Sequence, residues 1–104
     1  MKKITMPDAK GNKYTLEYTK NVIIRMEAAG FDVDLLDKQP VRMITLLFHG
    51  AFQANHPELS GDEIEEIYKP LADKTGLLKK LAEMYKEQSD LIVDEGNVSW
   101  EANW

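Results

Sequence analysis

From Pro40 to about Asn55 the chain reads as a helix with almost no polar side. Pro40 brings its fixed φ to the first helical position, where a missing N–H costs nothing. On a wheel of about 100° per residue, Val41, Ile44, Phe48, Ala51 and Phe52 form one side. Met43, Leu46, Leu47 and Ala54 fill most of the rest. The polar exceptions Arg42, His49, Gln53 and His56 share one sector, roughly 60° wide on the same geometry. A helix with a single narrow wet stripe must be wrapped by other elements. This one therefore predicts the centre of a bundle, with the stripe facing solvent. Gly50 lies off the stripe, where it would let a neighbouring backbone come close.

The flanking segments supply the wrapping. Ile4 and Met6 alternate with Thr5, and Tyr14, Leu16 and Tyr18 alternate with Thr15 and Glu17. The intervening Pro7-Asp8-Ala9-Lys10-Gly11-Asn12 is a dense turn signal, so the two runs predict a β-hairpin. A lone hairpin is marginal in water, so it must lie on the helices or pair with another chain. Thr19 is an N-cap for a helix over Lys20–Ala29, with Gly30 as its left-handed terminator and Phe31 folding back. Phe31–Gln39 is an acidic loop with room for one helical turn. Ser60 and Glu63 have capping-box spacing before Ile64, Ile67, Tyr68 and Leu71, and Pro70 ends that helix near Tyr68 or Lys69. The last helix is expected over Gly76–Ile92, with Leu77, Leu81, Met84, Tyr85, Gln88, Leu91 and Ile92 on one face. The expected fold is mainly α: a small bundle of about four helices with an N-terminal hairpin, residues 1–93 as one domain and 94–104 as a tail.

Chemistry-bearing clusters are sparse. The 104 residues include no cysteine, which removes disulfides, thiolate nucleophiles and Cys-based zinc sites. His49 and His56 are two helical turns apart, about 10 Å along the axis, too far to share a metal. The acidic run Asp62–Glu66 lacks the ligand spacing and central glycine of a calcium loop and reads as a solvated helix start. The six glycines are scattered singly and form no phosphate cradle. These readings predict no catalytic residues, no metal and no cofactor. The N-terminus lacks the apolar run of a signal peptide, and no stretch approaches the roughly 18 apolar residues of a membrane span. An acidic net charge without a basic cluster argues against nucleic acid.

The charge is concentrated at one end. Residues 1–86 carry 13 basic and 13 acidic side chains, and the whole net charge of −5 comes from residues 87–104. That segment has no Lys or Arg and holds both tryptophans, Trp100 and Trp104. Tryptophan is a frequent interface anchor. An acidic, aromatic terminus marks a partner-binding region, with Trp100, Trp104, Val98, Leu91, Ile92 and Tyr85 as the candidate contacts. Folding back of Trp100 onto the body is the competing expectation.

Four stretches carry a family resemblance: Tyr14-Thr15-Leu16-Glu17-Tyr18-Thr19, Met26-Glu27-Ala28-Ala29-Gly30-Phe31-Asp32, Leu46-Leu47-Phe48-His49-Gly50-Ala51-Phe52 and Gly96-Asn97-Val98-Ser99-Trp100-Glu101-Ala102-Asn103-Trp104. With them the chain resembles small tail assembly chaperones from long-tailed phages and prophages of Gram-positive bacteria. The resemblance implies a non-enzymatic protein that coats the long helical tape measure protein while the tail is built. It implies action in the cytoplasm of the host bacterium and absence from the mature virion. It also implies that a frameshifted longer form, where one is made, recruits tail tube protein. Self-association through the hairpin or the last helix is expected as well, because such a client needs many copies. Two other classes stay open at this stage: a small phage regulator or host-takeover protein that binds a bacterial protein, and a structural component of the virion.

Overall fold

A computed structural model describes residues 2–104, in which a two-stranded hairpin precedes four α-helices. Strands β1 (Ile4–Pro7) and β2 (Lys13–Leu16) pair antiparallel, with Ile4 opposite Leu16 and Thr5 opposite Thr15. Asp8 organises the turn between them. Its carboxylate accepts the main-chain N–H groups of Lys10 and Asn12, each at 2.9 Å, the Asn12 side-chain amide at 3.0 Å and the Tyr14 hydroxyl at 2.9 Å. Gly11 completes the reversal at φ +87°, a conformation that glycine adopts without steric cost.

Helix α1 (Lys20–Ala28) starts at the Thr19 cap, as expected. It ends in a Schellman motif: Gly30 at φ +98°, its N–H to the Glu27 carbonyl at 3.0 Å, and the Phe31 N–H to the Met26 carbonyl at 2.9 Å. That bond pair turns Phe31 back into the core, where it is 5% exposed. The acidic loop contains one 3₁₀ turn over Val33–Leu35, capped by the Asp32 carboxylate.

Helix α2 (Pro40–Gln53) packs against α1, the 3₁₀ turn, β2 and the last helix, so it is the centre of the bundle. Met43, Leu47, Phe48, Gly50, Ala51 and Phe52 are buried along it. Two details differ from the wheel. Val41, in the first turn of α2, is 80% exposed. At Gly50 the close neighbour is a side chain rather than a backbone. A Cβ built there would lie 2.5 Å from the Met26 sulfur.

Helix α3 (Gly61–Tyr68) carries the full capping box between Ser60 and Glu63. It stops before Pro70, as the sequence requires. Helix α4 (Lys74–Val93) starts two residues earlier than expected. Asp73 adopts a left-handed φ of +49° and its carboxylate accepts the Gly76 N–H at 3.1 Å, which adds a turn ahead of Gly76. Lys74 in turn donates to the Lys69 and Leu71 carbonyls at 2.8 and 3.0 Å, placing a cation at the end of α3.

The polar stripe of α2 does not simply face water. The Arg42 guanidinium donates to the Ala29 carbonyl at 2.7 Å, tying α2 to the end of α1. His49 Nε2 donates to Glu65 of α3 at 2.6 Å. His56 Nε2 accepts the Thr15 N–H of β2 at 3.0 Å. The stripe is thus a row of polar ties to three neighbouring segments. Helical spacing identifies the face but not what covers it. Among the described residues every buried side-chain nitrogen or oxygen has a hydrogen-bond partner.

Candidate functional site

The last helix outruns the body that it packs on. Leu81, Met84 and Tyr85 are buried, but the same apolar face continues through Leu91, which is 66% exposed, and Ile92, which is 41% exposed. Val93, outside the expected helix, extends the exposed row at 74%. Ile92-Val93 as adjacent apolar residues was the available signal for it. Beyond Asp94, which ends α4 with its N–H on the Asp90 carbonyl at 2.7 Å, no residue belongs to a helix or strand. Val98 and Trp100 are 90% and 84% exposed, and Trp104 is fully exposed.

The six candidate contacts therefore separate into two groups. Leu91, Ile92, Val98, Trp100 and Trp104 are all on the projecting C-terminal arm. Tyr85 is not. It is 7% exposed, with its ring edge-on to Tyr18 at 5.6 Å and to Phe31 at 4.7 Å. Its position follows from the register of α4: it is one helical turn from Leu81, where the face still meets α1 and α2. The fold-back of Trp100 expected as the alternative does not occur. Single apolar residues on a surface need no explanation, but Leu91, Ile92, Val93, Val98, Trp100 and Trp104 place six exposed large ones on one arm.

The arm is acidic as well as apolar. Asp94, Glu95 and Glu101 lie on it without a Lys or Arg between them. Its base is balanced by one contact: Lys2 meets Glu87 at 2.7 Å, and that hydrogen bond raises the Lys2 pKa above its usual value. Lys2, Glu87, Asp90, Leu91 and Asp94 share the rim of an open depression of about 530 Å³.

A second open groove of about 530 Å³ lies between α1, the 3₁₀ turn and α4. Glu27, Asp32, Asp34 and Asp90 line it against the single cation Lys86, with Phe31 and Tyr85 as its aromatic floor. Burial raises the Tyr85 hydroxyl pKa, and the Glu27 and Asp32 charges raise it further. Among the described residues no three His, Asp or Glu side chains are placed to hold a metal ion. No helix there is long and apolar enough to cross a membrane.

The hairpin, the central helix and the projecting arm describe a small mainly α domain. Over residues 1–104 the chain matches the family model described as a domain of unknown function, DUF5055, and it belongs to that family. No functionally curated protein and no solved structure matches it.

Proposed function

We propose that the protein is a tail assembly chaperone of a long-tailed phage or prophage. It acts in the cytoplasm of the host bacterium, binds the tape measure protein and keeps it soluble until the tail tube encloses it. It works by binding alone, without catalysis, metal or cofactor, and does not stay in the virion. The observation that carries this reading is the arm. A helical body whose described buried side-chain polar atoms are all hydrogen-bonded presents Leu91, Ile92, Val93, Val98, Trp100 and Trp104 to solvent on a segment rich in carboxylates. Apolar side chains can engage the apolar stripe of a helical client, and the negative charge opposes precipitation of the coated complex. The resemblance to tail assembly chaperones supplies the identity of that client.

The test is co-expression with the tape measure protein of the same phage or prophage. The client should become soluble with the full chain and aggregate when residues 94–104 are deleted. Mass spectrometry of purified particles should find no copies of the chain. A client that stays insoluble with the full chain overturns the reading. Stoichiometric copies in the particle would instead make it a structural component.

The acidic groove favours one second reading, a small regulator that binds a bacterial enzyme in place of nucleic acid. Four carboxylates against one lysine could imitate a run of phosphates. Replacement of Asp32 and Asp34 by Asn would then abolish enzyme binding without affecting the solubility of any tape measure protein.

A further inference from the structure

The last seven residues alternate without a break. Val98, Trp100, Ala102 and Trp104 are apolar, and Ser99, Glu101 and Asn103 between them are polar. This is the period of a half-buried β-strand. In the structure the segment is exposed throughout and pairs with nothing.

The hairpin has one free edge to match it. The outer edge of β2 is closed by the end of α2: Glu17 N–H donates to the Ala51 carbonyl at 3.1 Å, Thr15 N–H to His56, and Asn55 Nδ2 to the Thr15 carbonyl at 3.3 Å. Thr15 therefore turns its main-chain groups away from β1. In an antiparallel ladder its opposite residue, Thr5, must turn its own groups outward on the far side. Thr5 is exposed and makes no hydrogen bond outside the hairpin. Pro7 has no N–H to offer and sets the end of that edge.

The surroundings of this edge complement the tail in charge and polarity. A depression of about 250 Å³ beside it is floored by Ile4 and Met84 and ringed by Lys2, Lys3 and Lys80 against Glu83. Lys2 and Lys80 reach Glu87 and Glu83, whereas Lys3 pairs with no described carboxylate. Val98–Trp104 brings Glu101 with no cation.

We propose that Val98–Trp104 of one copy adds as a third strand to the β1 edge of a second copy. Its tryptophan face lies over Ile4 and Met84, its Ser99 face lies on the Thr5 side, and its Glu101 carboxylate approaches Lys2 and Lys3. Main-chain bonds hold the added strand, and alternate side chains fix its register. Each copy then offers one tail and one edge, a heterologous contact that builds open chains or rings. Such chains leave Leu91, Ile92 and Val93 repeated along their length. The pairing itself does not depend on what the client is.

Because the chain has no cysteine, introduced thiols report the contact directly. Thr5→Cys and Ser99→Cys proteins, mixed and oxidised, should give a disulfide-linked dimer that neither gives alone. Sedimentation of the full chain without client should show species larger than monomer. These should disappear in Trp100→Ala/Trp104→Ala, which alters only side chains free of the body, and in Thr5→Pro. Monomer alone at high micromolar concentration overturns the proposal. So does an intramolecular cross-link in the Thr5→Cys/Ser99→Cys double variant without dimer, which would place the tail on its own edge. Association that survives the tryptophan replacements also overturns it. No client enters these measurements, so their failure is distinct from failure of the chaperone reading.

Discussion

His56 Nε2 accepts the main-chain N–H of Thr15 at 3.0 Å, so an imidazole just past the end of α2 stands where a third strand would bond β2. Only the neutral ring with its proton on Nδ1 can accept there. The Tyr14 ring packs against the same imidazole at 5.2 Å, nearly perpendicular to it. In His56→Ala the Thr15 N–H, partly buried, loses its acceptor. The expected cost is about 1–3 kcal/mol, the range for an unsatisfied buried donor. Urea unfolding measures it. Amide exchange at Thr15 should accelerate more than exchange at residues of α4.

Gly50 and Met26 make a second coupled pair. Alanine at position 50 adds about 1 kcal/mol of helix propensity. Its Cβ would also lie 2.5 Å from the Met26 sulfur and 3.0 Å from Met26 Cγ, so the buried Met26 side chain must move. Overpacking of this kind costs about 1–3 kcal/mol. Gly50→Ala should therefore destabilise the native chain. In a Met26→Ala background the clash is gone, and the same substitution should stabilise. A double-mutant cycle by chemical denaturation checks the reversal of sign.

Phe48 is 1% exposed and meets Phe52 at 5.0 Å and Tyr68 at 4.8 Å between ring centres. It joins α2 to α3 through the middle of the core. Phe48→Ala should cost about 3–5 kcal/mol. A loss of under about 1 kcal/mol, the scale of an ordinary surface change, would contradict a central position for α2.

Asp8 predicts an acid-sensitive hairpin turn. Hydrogen bonds from the Asn12 side chain above all, then from the Tyr14 hydroxyl and the Asn12 and Lys10 main chain, hold its carboxyl below the usual aspartate range. A depressed folded value means that the stabilisation is complete above the unfolded aspartate value of about 4 and is lost as pH falls through the folded one. Amide shifts of Lys10 and Asn12 should therefore titrate together below pH of about 4. In Asp8→Ala that common transition should be absent.

Short-range chemistry was legible in the chain as written. The turn at Pro7–Asn12, the cap at Thr19, the Gly30 terminator, Pro40 as a helix start and the Ser60–Glu63 box each depend on atoms a few residues apart. The apolar breadth of Pro40–Asn55 likewise required a central helix, because no thinner architecture could cover it. The arm's composition, acidic and aromatic with no cation, was equally plain from sequence.

Which neighbour covers which face was decided only by the tertiary structure. Arg42, His49 and His56 looked like a wet stripe until the end of α1, Glu65 of α3 and Thr15 of β2 were brought against them. Tyr85 and Leu91 share one periodic face of α4, yet one is buried and the other projects, because the body ends between them. Glu17 occupies an outward position in the strand alternation but is 7% exposed, covered by Asn55, whose amide donates to its carboxylate at 2.9 Å. Periodicity specifies the direction of a side chain relative to its own element. Burial depends on where other elements stop, and that is set by contacts between residues far apart in the chain, such as Thr15 with His56 and Tyr18 with Tyr85.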